Sequence, residues 1–163
     1  MPSSSDPEPG GSAGSAGSSG SAGSGIGAGV SAGLRATVRA TVTEADTAQA
    51  MGSGDVPVLG TPRLLALAEA ACCAAVAPHL ALGLTSVGTS AALEHRQASP
   101  LGAEIVVEAE LTEVDGGRLV FGFIARVADT SDDIVIGAGT LERVVVNRTR
   151  FLARAAAPAS RPA

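Results

Sequence analysis

The sequence predicts an α+β fold in which a curved, five-stranded antiparallel sheet wraps around one buried helix. Three observations predict it. One segment, Arg63–Ala77, is rich in Leu and Ala on almost every helical face, and a helix apolar all round is normally buried. One segment before it and several after it read instead as strands separated by turn signals. Aromatic residues are nearly absent: there is no Trp or Tyr, and only Phe121, Phe123 and Phe151. The core is therefore expected to be Ala, Val, Leu and Ile.

Residues 1–33 hold 10 of the 21 Gly of this 163-residue chain, with many Ser and Ala. Their larger apolar side chains are Met1, Ile26 and Val30. So little apolar surface does not offset the entropy of ordering, so residues 1–33 are expected to be a disordered tail. The folding unit is expected at 34–154, and the Ala-, Pro- and Arg-rich residues 155–163 as a flexible end.

Leu34–Thr43 places β-branched residues at alternate positions and reads as the first strand. Glu44–Gly60, with Gly52, Gly54 and Pro57, reads as a loop long enough to be functional or mobile. Thr61 is placed to cap the helix, Pro62 suits its first turn, and Pro78 marks its end. Leu84–His95 is the next strand. Glu104–Val114 follows, with Ile105, Val107, Ala109 and Leu111 interleaved among Glu104, Val106, Glu108 and Glu110. Asp115-Gly116-Gly117 is a hairpin signal, Arg118–Ala128 the returning strand, Asp129–Asp133 a polar turn and Ile134–Asn147 the last strand. A meander of this kind around one apolar helix is the hotdog fold. Its sheet has free edges, and edge pairing would cover them, so a homodimer or a tetramer is expected.

Composition narrows the function. All 11 basic residues are Arg, which leaves no lysine for Schiff-base or P-loop chemistry. The net charge is −5 and aromatics are scarce, a poor profile for nucleic-acid binding. The two cysteines, Cys72 and Cys73, are adjacent, which fits neither a disulfide framework nor a metal spacing, so no metal and no cofactor are expected. Vicinal thiols suit a reducing compartment, and the apolar run Leu64–Ala77 is too short to span a bilayer. The expected location is cytoplasmic, with no membrane partner.

Glu69 is the one charge between Leu64 and Ala77, with no Arg within a helical turn. It either lies on a narrow solvent stripe or needs a partner or a shifted pKa, as functional carboxylates do. His95 ends the strand after the helix, and His79 is placed to favour the helix C-terminus. Cys72 and Cys73 read as small hydrophobes.

The ordered set Thr61-Pro62, Glu69, Val87-Gly88-Thr89, His95, Ala98-Ser99-Pro100-Leu101-Gly102, Val114-Asp115-Gly116 and Ile136-Gly137-Ala138-Gly139-Thr140 with Glu142-Arg143 resembles the fluoroacetyl-CoA thioesterase-like branch of the hotdog thioesterases. The resemblance implies hydrolysis of an acyl-CoA thioester by Thr61, Glu69 and His95. It implies that Gly88 presents its backbone amide to the thioester carbonyl and that Arg143 shapes the substrate pocket. Gly52 and Asp55 stand where the specific fluoroacetyl-CoA enzymes carry lid aromatics, which points away from a fluorinated substrate; separately, Leu141 replaces a histidine common in the family before Glu142-Arg143. Eight helical residues span about 12 Å, so Thr61 and Glu69 cannot touch directly. Either they face a common pocket, or one acts across a dimer interface. Arg96, Arg148 and Arg150 are available for the phosphates of CoA. The alternative is a non-catalytic hotdog module that binds acyl-CoA. A hydratase ranks last, because the helix lacks an Asp/His pair.

Overall fold

The computed structural model describes residues 25–128 and 134–157. The expectations for residues 1–24, for the turn at Asp129–Asp133 and for residues 158–163 lie outside the described residues. The elements are β1 (Arg35–Thr41), α1 (Thr61–Val76), β2 (Leu84–His95), β3 (Glu104–Asp115), β4 (Arg118–Val127), β5 (Val135–Asn147) and α2 (Arg148–Ala156). The sheet is antiparallel throughout, in the order β1-β3-β4-β5-β2. The connection through α1 carries the chain from one edge of the sheet to the other, so β1 and β2 are the two edge strands.

Alternation determines the buried face. Ile105, Val107, Ala109 and Leu111 of β3 point inward, as do Leu119, Phe121, Phe123 and Ala125 of β4. They meet Leu64, Leu67, Ala68, Ala71, Cys72, Ala75 and Val76 of α1. The core is aliphatic except for Phe121 and Phe123. This is the predicted hotdog architecture, with one difference at the helix. A single sheet covers one side of α1, and Ala66, Ala70 and Ala74 on the other side are exposed in the isolated chain.

Three boundaries differ from the sequence reading. Packing begins before residue 34: Val30 is buried, Ile26 lies against the core, and Gly33 N–H donates to Leu111 O at 2.8 Å. Two apolar side chains suffice for this, although the Gly/Ser-rich composition around them hides the signal. The cap of α1 is Gly60, and Thr61 is the first helical residue, which frees its hydroxyl for another partner. Residues 148–156 form a second helix, α2, which the strand and turn signals do not announce and which reaches two residues into the segment expected to be a flexible end. Asn147 Oδ1 accepts from Arg150 N–H at 3.0 Å and satisfies a first-turn amide.

Candidate active site

Thr61 and His95 meet where the N-terminus of α1 passes the C-terminal end of β2. Thr61 Oγ1 lies 2.9 Å from His95 Nδ1. With the ring proton on Nε2 the hydroxyl donates; with the proton on Nδ1 it accepts. The other ring nitrogen, Nε2, is buried and has no hydrogen-bond partner among the described residues. Burial of the ring lowers the His95 pKa from its ordinary value of 6.5, and the Gln97 backbone opposes this in part. His95 is thus a neutral base near pH 7, held at one nitrogen and free at the other.

Both residues line a cleft of about 310 Å³ whose opposite wall is the segment before α1, including Ser53, Gly54, Val56 and Val58. That segment is anchored rather than loose. Ala48 N–H donates to Val58 O at 2.8 Å, Leu59 N–H to Ser99 O at 2.9 Å and Gly60 N–H to Asp46 O at 2.9 Å. Arg63 also pairs with Asp46 at 2.5 Å. The cleft wall contains no aromatic residue.

Glu69 stands two turns further along α1. Its partner comes from the sheet: Arg143 Nη1 of β5 donates to Glu69 Oε1 at 2.9 Å. The guanidinium is fixed by two further bonds, Nε to Ser86 Oγ and Nη2 to Ser86 O, both 3.0 Å. The Arg143 side chain is 7% exposed and that of Glu69 is 41% exposed. Arg143 therefore holds the carboxylate from below while its free edge faces outward. Gly88 lies opposite Arg143 in the β2–β5 ladder, beside a bulge at Thr89. A side chain at Gly88 would collide with Glu69 Oε1.

The structure thus forms two pairs from the expected site residues. Thr61 joins His95; Glu69 joins Gly88 and Arg143. The pairs are separated by about 12 Å along α1 and by roughly 20 Å along β2. Sequence reasoning missed Ser86, for which no local signal exists, since only the β2–β5 pairing brings it to Arg143. Cys72, fully buried, has its thiol pushed up to about 12 by burial and is inert packing. His79 ends a short 3-10 turn and packs against Gly29, away from both pairs. Among the described residues no cluster of His, Cys, Asp and Glu has the grouping of a metal site, and no helix is long and apolar enough to cross a membrane.

The curved antiparallel sheet around α1 defines a protein of hotdog architecture. The family model described as fluoroacetyl-CoA-specific thioesterase matches residues 42–149, and the chain belongs to that family. The fluoroacetyl-CoA thioesterase of Streptantibioticus cattleyicolor is 39% identical over 97 residues, covering 60% of this chain and 67% of that one. A solved structure of the fluoroacetyl-CoA thioesterase FlK superimposes with a TM-score of 0.71 at 33% identity, over 80% of this chain and 99% of the other. A threonine-to-serine mutant of that enzyme in complex with acetyl-CoA also gives 0.71, at 30% identity over 77% and 96%. A thioesterase-superfamily member from Thermus thermophilus, 23% identical with a TM-score of 0.69 over 76% and 89%, shares the fold.

Proposed function

We propose that this chain hydrolyses an acyl-CoA thioester to the free acid and CoA at a site assembled from two copies, with Thr61 and His95 of one subunit facing Glu69 and Gly88 of the other. The carrying observation is the separation of the two pairs within one chain. Neither pair alone supplies a base, a carboxylate and an amide for the developing oxyanion.

The edges of the sheet favour such an assembly. β1 carries Arg35 and Arg39, charges that discourage pairing, whereas β2 is uncharged from Leu84 to Leu93. Its exposed stretch Gly88–Ala92 consists of small residues. An antiparallel pairing of two β2 strands about a two-fold axis at Ala92 brings His95 to the bulge that follows Gly88 of the partner subunit. The exposed alanines Ala66, Ala70 and Ala74 of α1 would then gain cover.

In the assembled site the amide at Gly88 stabilises the negative charge that grows on the attacked carbonyl oxygen. His95, neutral near pH 7, accepts or returns a proton at Nε2, and Thr61 fixes the ring through Nδ1. Glu69, held by Arg143, orients water or attacks the carbonyl directly. The open, non-aromatic cleft wall suits general short or medium acyl groups over a fluorinated one. The free cysteines Cys72 and Cys73 are in keeping with a cytoplasmic enzyme.

The test is subunit complementation. Glu69→Gln and His95→Ala are each inactive on a panel of acyl-CoA thioesters. Mixed and reassociated, they regain about a quarter of wild-type activity, because half the dimers are mixed and one of their two sites is intact. Thr61→Val mixed with His95→Ala regains nothing. Absence of turnover by the wild type on every chain length overturns the hydrolase reading and leaves an acyl-CoA-binding module. Absence of complementation between active-site variants of a turning-over enzyme overturns the two-copy site.

A further inference from the structure

We infer that α2 is the binding site for the phosphorylated adenine nucleotide end of CoA, with Arg150 and Arg154 on the phosphates and Phe151 against the adenine. The inference rests on the reading of the chain as an acyl-CoA hydrolase and names how that substrate is held.

The charges of this protein are segregated. Arg35, Arg63, Arg96, Arg118, Arg126 and Arg143 all pair with a carboxylate. Four others have no acidic partner among the described residues: Arg39 on β1, and Arg148, Arg150 and Arg154, which cluster on α2. After Glu142 the sequence has no Asp or Glu at all, although the chain as a whole carries −5. A localised, uncompensated positive surface on an acidic protein attracts a polyanion and repels little of it. Guanidinium groups match phosphate oxygens in pairs.

The helix presents a second recognition element. Phe121 and Phe123 are buried in the core, and Phe151 is the one aromatic side chain exposed among the described residues, at 39%. Arg150 and Arg154, four residues apart, share one helical face, and Phe151 lies beside them. A flat apolar ring next to two cations is the pairing that a purine nucleotide requires.

Position completes the argument. α2 is fixed to the sheet by Arg148 N–H donating to Gly83 O at 3.0 Å and by its Asn147 cap. Asn147 is registered to Leu84, four residues along β2 from Gly88. The start of α2 is therefore about 13 Å along β2 from the amide proposed to bind the thioester carbonyl. A pantetheine arm covers that distance, which leaves the nucleotide over the helix.

Calorimetric titration tests the assignment without requiring turnover. The ligands are CoA, dephospho-CoA and pantetheine, and the proteins are the wild type, Arg150→Gln/Arg154→Gln, Phe151→Ala and Arg39→Gln, whose arginine is exposed on the far edge strand. The expected result is CoA binding at least tenfold weaker in the double-arginine variant and several-fold weaker in Phe151→Ala. Arg39→Gln binds CoA as the wild type does. Dephospho-CoA shows a smaller loss in the double variant, and the affinity gap between CoA and pantetheine narrows there. Equal CoA affinity in wild type and double variant overturns the inference. If the wild type hydrolyses no acyl-CoA yet shows the expected binding series, the hydrolase reading fails and the nucleotide site stands.

Discussion

Thr61 Oγ1 and His95 Nδ1 lie 2.9 Å apart, although 34 residues separate them in the chain. The contact links the first turn of α1 to the last residue of β2, and it leaves His95 Nε2 without a hydrogen-bond partner among the described residues. Thr61→Val keeps the volume and removes the hydroxyl. It is expected to lower kcat/KM on acyl-CoA by about 10- to 100-fold, against roughly 100- to 10,000-fold for His95→Ala. Thr61→Ser retains most of the activity. Steady-state assays with free-thiol detection distinguish these outcomes, and equal rates for Thr61→Val and wild type contradict the role.

Burial lowers the His95 pKa below 6.5, so its neutral form persists into mildly acidic solution. Hydrolysis is expected to fall on the acid side with an apparent pKa below 6.5. The sign for stability is the same. The unfolded chain takes up a proton on this histidine near 6.5, before the folded chain does, so stability contributed above that pH is lost as pH falls toward the folded value. His95→Asn flattens the acid dependence of chemical denaturation. An unchanged slope between pH 7 and 5 in that variant contradicts the assignment.

Glu69 and Arg143 differ in burial, and their variants differ accordingly. Glu69→Ala leaves Arg143 Nη1 buried without its acceptor, which costs about 1–3 kcal/mol of stability. Glu69→Gln keeps an acceptor oxygen there and costs less, yet it removes the charge. Both are expected to lose activity, but only Glu69→Ala shifts the urea midpoint appreciably. Ser86→Ala removes one of the bonds that fix Arg143 and is expected to lower kcat while KM changes little.

Gly88 has no room for a side chain because Glu69 Oε1 occupies the space. Gly88→Ala displaces that carboxylate and is expected to reduce kcat at least about tenfold. Since the group that must yield is the half-exposed end of the Glu69 side chain and not backbone, the thermal midpoint is expected to move less than kcat. A large loss of stability with normal kcat in the remaining folded protein argues against a catalytic placement.

Much of this molecule was legible without coordinates. The alternation of Ile105, Val107, Ala109 and Leu111 with polar neighbours named the buried face of β3, because strand side chains alternate by geometry alone. The all-round apolarity of α1 announced a buried helix, and Glu69 was conspicuous within it as a lone charge. Its need for a partner was also readable, but not that the partner was Arg143, because that contact is long-range and depends on the order of strands in the sheet. Thr61 reads as a cap by residue type and as a catalytic residue only through the family resemblance; the approach of β2 to the helix N-terminus is what brings its hydroxyl to His95. The start of packing at Ile26 and Val30 and the helix α2 were likewise hidden, since each depends on neighbours distant in sequence. The sequence by itself determined the periodicities, the charge segregation toward the C-terminus and the residue types available for chemistry, all local properties of the chain. Tertiary structure alone decided how those residues pair. It divided them between the C-terminal end and the first half of β2, because a helix rising 1.5 Å per residue cannot keep pace with a strand rising about 3.3 Å per residue.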